Sequence, residues 1–315
     1  MGSSSTKEKV PIPKPDISLY PLDRSGGGKR FFFQMSICEG YELNTFAIKS
    51  INGKPELWNW KRSNGLPYRV IIWSHSLLTD NSRMFQYLQS VVNNLNNTAI
   101  ILCYDYPGYA ESKPKQFSFQ NSIKALSCVV DFVLKYTTKE NIYLIGHEFG
   151  AEVVVEYAYQ VRWTEPIMLI GSRPSLMSES FNPPKNSGDY TSHQKLEQLE
   201  CPVLIVQHRF FLEPYGLCDA QQTFVFLQKP LQPVWIDPYD PTKIDNISGK
   251  KIVDVNNILT EIDAIVYMNF ISRSIPFVTF KSYDQKFVTA VQYDTSCKTI
   301  ADSIARKNDF EIDFF

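Results

Sequence analysis

The sequence predicts an α/β protein, a mostly parallel sheet covered on both faces by helices. Three observations predict it. From residue 68 onward, short apolar runs of strand length alternate with longer segments whose apolar residues recur at helical spacing. The strand-length runs read as buried, which suits parallel strands covered on both faces. Finally, Gly146-His147-Glu148-Phe149-Gly150 sets a glycine two residues before and two after an apex. A sharp strand-to-helix turn needs small residues at those two places, because a Cβ there would collide with backbone.

In chain order, residues 30–35 and 41–48 read as strands, with Asn52-Gly53 as a turn before an extended run at 56–61. A buried strand follows at 70–73, then a helix over 82–95 carrying Met84, Leu88, Val91, Val92 and Leu95. Residues 99–104 form a strand, and 119–136 a helix whose apolar stripe includes Ile123, Leu126, Val130, Phe132 and Val133. The strand 141–145 enters the sharp turn and a helix over 151–158 leaves it. Three more strands are expected at 166–170, 202–206 and 233–236. The stretch 172–198 breaks this alternation with Ser, Pro, Asn and Gly, as a loop or small cap would. A long helix over 253–271 closes the sheet, a hairpin follows at 276–283 and 286–293, and a short helix at 298–306. The domain organisation is therefore a tether over 1–29, a folded body over 30–274 and a C-terminal extension over 275–315.

With 315 residues, 43% hydrophobic and 21% charged, the chain has the composition of a soluble globular protein. A net charge of −1 and no basic stripe give no reason to expect nucleic acid. The longest apolar runs are far too short to cross a bilayer. Six scattered cysteines without a CxxC pair read as reduced thiols in a cytosolic setting. No cofactor motif stands out. The spacing of His75, His147 and Glu148 is not a compact metal-ligand motif, so no metal is expected.

The amino terminus is more informative. Met1-Gly2-Ser3-Ser4-Ser5-Thr6 fits the N-myristoylation pattern, with Gly2 as acceptor. Lys7, Lys9 and Lys14 add a weak basic patch that could assist one acyl chain at an anionic membrane. The expected location is peripheral, on the cytosolic face of a membrane.

Several motifs, in order, resemble the α/β-hydrolase superfamily, and within it the membrane-associated serine hydrolases that remove palmitate from proteins. The turn at 146–150 resembles that fold's nucleophile elbow. Trp73-Ser74-His75-Ser76 resembles the strand end that precedes the oxyanion loop. Tyr104-Asp105-Tyr106-Pro107-Gly108-Tyr109-Ala110 is the most specific match, and Cys201 to His208 resembles the strand before the triad acid. The resemblance implies an α/β-hydrolase fold with a small or absent cap and an oxyanion region at His75, Ser76, Leu77 and Phe149. It also implies where a triad would stand. The nucleophile falls on Glu148, the acid near Leu212 and the histidine near Pro241, so all three are lost.

The chain order that this resemblance implies gives the same result without an alignment. The triad runs nucleophile, acid, histidine, yet the last histidine is His208. His75, His147, His193 and His208 all precede the place of the general base. A carboxylate nucleophile at Glu148 would still need that histidine to free its ester. Otherwise Glu148 fills the old site and accepts hydrogen bonds from the oxyanion amides. Asp105 reads as a loop-fixing carboxylate and His147 as packing beside the elbow. The expected protein is a catalytically inactive, membrane-tethered binding or scaffold protein with an unidentified protein partner. The alternatives are a divergent acyl-ester or thioester hydrolase and a lipid- or small-ligand-binding module.

Overall fold

The computed structural model describes residues 31–38, 40–48, 68–77, 79–95, 98–110, 112–172, 195–208, 223–224, 226–236 and 264–278. The strands are β1 (Phe31–Cys38), β2 (Tyr41–Ile48), β3 (Arg69–Ser74), β4 (Ala99–Tyr104), β5 (Ile142–His147), β6 (Ile167–Ile170), β7 (Val203–His208) and β8 (Val234–Ile236). The helices are α1 (Asn81–Asn93), α2 (Phe119–Leu134) and α3 (Phe149–Gln160), with α4 described over 264–271.

The strands form one sheet in the order β1-β2-β4-β3-β5-β6-β7-β8. From β4 to β8 every neighbouring pair is parallel, while β1–β2 and β2–β4 are antiparallel. The parallel strands are the apolar runs. Ile71, Ile72, Leu102, Leu144 and Leu169 are all fully buried, as strands covered on both faces must be. One core layer packs α2 and α3 on the sheet through Leu126, Val129, Val154 and Phe149. The other packs α1 and α4 through Leu88, Val92, Tyr267 and Phe270. These layers fix the strand ends, because β3, β4 and β5 run in register from Val70↔Ile142 to Ser74↔Gly146 and from Arg69↔Ala99 to Trp73↔Cys103.

The helix α2 starts where Ser118, in extended conformation (φ −157°, ψ 158°), accepts the Asn121 amide at 3.1 Å. It ends at Leu134, two residues earlier than the sequence pattern suggests, because the apolar stripe runs out there and Tyr136 is exposed. After α4, Arg273 ties the chain back to the sheet by an ion pair to Glu165 (2.6 Å) and a hydrogen bond to the Glu140 carbonyl (2.9 Å). The chain then pairs with the segment before β8. The Gln232 amide donates to Pro276 O and the Val278 amide to Pro230 O, both at 2.9 Å. The first residues of the expected C-terminal extension thus belong to the folded body. They lie by the start of β7, where the Leu231 amide donates to Val203 O (2.8 Å), at the end of the sheet away from the elbow.

One expectation is corrected. Cys103 and Cys201 are free and buried, but Cys128 is disulfide-bonded. Folding joins cysteines that are remote in sequence, so spacing alone could not reveal the pair. Gly2, Leu212, His193 and Pro241, the run 56–61, most of 172–198, and the segments 286–293 and 298–306 lie outside the described residues. Among the described residues, no helix is long and apolar enough to cross a membrane.

Candidate functional site

The site is built at the C-terminal ends of β3, β4 and β5. Between β5 and α3 stands a single residue, Glu148, with φ 49° and ψ −109°. Such a conformation costs a non-glycine residue roughly 1–3 kcal/mol and persists only where the surroundings enforce it. The two glycines let those surroundings close in. A Cβ on Gly146 would lie 2.5 Å from Ala151 Cα. A Cβ on Gly150 would lie 2.6 Å from the Ser74 carbonyl carbon and 2.9 Å from His75 O. The start of α3 is therefore pressed directly onto the end of β3. The apex is pinned on both sides, by the Glu148 amide to Ile170 O (2.8 Å) and the Ala151 amide to Glu148 O (2.9 Å).

The Glu148 carboxylate is half-buried and caps none of the α3 amides. The reason is backbone geometry. Ser118 caps α2 from an extended conformation that folds its side chain over the first turn. Glu148, forced to positive φ by the elbow, has no such path.

Opposite the apex, the chain from Ser74 to Leu77 is held by the aromatic loop after β4. The Ser74 hydroxyl bonds Tyr104 OH at 2.7 Å. Tyr106 OH donates to His75 O at 2.8 Å, and Tyr109 OH donates to Leu77 O at 2.7 Å. The Tyr106 ring also meets Phe149, centroids 5.4 Å apart. His75, Ser76, Leu77 and Phe149 are thereby brought to one place. Ser76 Oγ is occupied by Thr79 Oγ1 at 3.1 Å. His75 is fully buried between Tyr106 and Tyr109, and burial holds its imidazole down to about 4. Asp105 accepts the Asn81 amide (2.9 Å) and Asn44 Nδ2 (2.6 Å), binding β2, α1 and the β4 loop together. Its burial pushes it up to about 7 despite those two donors.

No protein-family model matches the chain. A protein of Acanthamoeba polyphaga mimivirus described as an alpha/beta hydrolase is 27% identical over 214 residues, 66% of this chain and 80% of that one. A protein of Acinetobacter baumannii AYE described as a lipase superposes with a TM-score of 0.51 at 11% identity, covering 78% of this chain and 93% of the other. Est1E from Butyrivibrio proteoclasticus with ferulic acid bound gives a TM-score of 0.51 at 16% identity, over 75% and 98%. This chain has the α/β-hydrolase fold.

In an α/β-hydrolase fold the nucleophile stands where Glu148 stands. His147 turns to the other side of the sheet and stacks on Trp73, centroids 5.7 Å apart, in the layer of α1 and α4. His75 faces Asp105. His208 ends β7 opposite Ile236. Among the described residues, no three His, Cys, Asp or Glu side chains gather as metal ligands would.

One group escaped the sequence reading. Glu152 and Glu156 follow Glu148 at four-residue steps, hence on one face of α3, and both are buried. Lys195 forms an ion pair with Glu156, which also accepts Gln160 Nε2 at 2.8 Å. Burial pushes Glu152 up to about 8, Lys195 opposing and the Glu156 charge adding. The spacing 148–152–156 was visible in the sequence. That the turn at Lys195 would cover it was not.

Proposed function

We propose that this protein has abandoned acyl transfer and works by binding, as a scaffold held by a Gly2 myristoyl group at the cytosolic face of a membrane. One observation carries the first half of that reading. An intact elbow presents Glu148, and no histidine follows His208 in the chain. Triad members act as a unit, so lacking the base alone removes most of the rate. The protein is expected to remain unlabelled by a fluorophosphonate serine-hydrolase probe. Glu148→Ser is expected to stay unlabelled too, because nothing deprotonates the new hydroxyl. Labelling of the native protein that disappears on replacing one serine, such as Ser76, would return the chain to the enzymes.

A divergent acyl-ester hydrolase is the second reading. It is favoured by the assembled oxyanion region and by the description of the mimivirus relative as a hydrolase. The probe experiment separates the two.

The tether rests on the Gly2 signal and the lysines that follow it. The Cys128 disulfide points the other way, since cytosolic compartments keep thiols reduced. Intact mass after expression with a myristoyl transferase decides both matters. The expected product carries one myristoyl group. An unmodified Gly2 would remove the tether, and thiol counting on the same sample reports the disulfide.

A further inference from the structure

The two ends of the sheet differ in what they expose. β1 is antiparallel to β2 and β2 to β4, so β1 runs the same way as the parallel strands and Phe31 stands near where they begin. Residues 1–30 therefore join the body at the end opposite the elbow. The helices α2 and α3 leave the C-terminal ends of β4 and β5, so both finish at that same end. Among the described residues, the large hydrophobic side chains that stay exposed are Leu134, Tyr136, Val161 and Phe277, 41–59% exposed. Leu134 closes α2 with Tyr136 just after it, and Val161 follows α3. Phe277 lies between two residues hydrogen-bonded to the segment before β8, beside the start of β7. All four stand at the end where residues 1–30 arrive, and none of them at the elbow mouth. Apolar residues scattered singly over a surface need no explanation, but a set confined to one end does.

The ends of α2 and α3 are neighbours. The Asp131 charge of α2 reaches Tyr157 of α3, and Lys139 Nζ sits 4.6 Å from the Trp163 ring centroid. Lys135 and Arg162 are exposed beside the apolar residues and Lys139 is half-buried, with exposed Asp131 and Glu140 offsetting much of their charge. The core of a protein–protein interface is depleted of lysine. Tyrosine and apolar tips interleaved with long basic side chains instead suit a membrane–water interface. We propose, resting on the Gly2 tether of the reading above, that this end of the sheet lies against an anionic bilayer and the elbow mouth faces away from it. One myristoyl group alone binds only marginally and reversibly, so a second contact is required. Once the acyl chain holds the protein at the surface, that contact forms at the high local concentration of an intramolecular event. Charges at this end nearly balance, so its contribution comes from Leu134, Tyr136 and Val161, while Lys7, Lys9 and Lys14 supply attraction to anionic lipid. Glu148 and the 74–77 segment lie at the far ends of their strands. Whatever the cleft takes then arrives from solution and not from the bilayer.

The test uses the full chain, myristoylated at Gly2 during expression, on vesicles of phosphatidylcholine and phosphatidylserine. Leu134→Gln combined with Val161→Gln should weaken partitioning about tenfold, because two partly exposed apolar side chains no longer leave water. No charge changes, so the same loss should appear at high salt. On the native protein, vesicles should slow amide exchange at 134–140 and 161–164 and leave 74–77 and 148–151 unchanged, a readout that needs no variant. Undiminished partitioning of the double variant, or slowing confined to the elbow end, overturns the proposal and leaves the tether standing. Failure of the myristoylated native protein to bind vesicles removes the tether and this face with it. A dimer in lipid-free sedimentation that the double variant converts to monomer would assign the face to a second copy instead.

Discussion

Gly150→Ala is expected to destabilise the protein by about 3 kcal/mol or more, lowering the midpoint of thermal unfolding by roughly 5 °C. The added methyl would meet the Ser74 carbonyl carbon at 2.6 Å and His75 O at 2.9 Å. Neither is the tip of a flexible side chain. Ser74 is the last residue of β3, and it is paired in register with Gly146. To make room, α3 would have to back off the sheet, taking Phe149 away from Tyr106, Phe117 and Phe119. Yielding in the other direction would break the Tyr106 hydroxyl bond to His75 O. Both routes spoil close packing that interiors do not readily recover. Gly40→Ala is the control. Gly40 also has positive φ (82°), but a Cβ there meets nothing within 4 Å. Its cost should stay near the backbone penalty of roughly 1 kcal/mol. Equilibrium denaturation of the two variants reads the difference. A Gly150→Ala protein as stable as Gly40→Ala would mean that the elbow is not closed on β3 as described.

That contrast shows what could be read from the sequence. The parallel strands were legible because burial on both faces demands runs such as Val70–Trp73 and Ala99–Tyr104 without polar interruption. The elbow was legible because two steric requirements four residues apart leave a glycine at each. What escaped was set by backbone direction or by contacts remote in sequence. Glu148 fails to cap α3 because of its φ, which no residue type announces. The His75–Asp105 contact needs the β3–β4 register, and the Cys128 disulfide needs a partner brought near only by folding. The carboxylates of α3 fall between these cases. Their spacing was plain, but burial under the turn at Lys195 changes what they do.

Replacing Glu152 with glutamine is expected to flatten much of the fall in stability that the protein shows as pH rises. Burial lifts the Glu152 carboxyl from 4.5 to about 8. Between those values the unfolded chain gives up its proton while the folded chain keeps it. The folded state therefore binds more protons, and the free energy of unfolding declines as pH rises. A difference of this size corresponds to a ceiling of about 5 kcal/mol. Movement of Lys195 toward the new charge brings the expected loss to roughly 2–4 kcal/mol by about pH 9. The glutamine side chain carries no proton to lose, so Glu152→Gln should gain about that much on the native protein at pH 9 and little at pH 4. An amide left short of partners would lower the whole curve by about 1 kcal/mol without tilting it, so slope rather than height is the readout. Some slope should survive in the variant, because Asp105 is also raised, to about 7, and contributes with the same sign. His75, lowered to about 4, works against both between that value and its ordinary one. Urea denaturation of both proteins from about pH 5 to pH 9 gives the comparison. Equal slopes would show that Glu152 is ionised in the folded state at neutral pH, paired with Lys195 in place of the Glu156 bond.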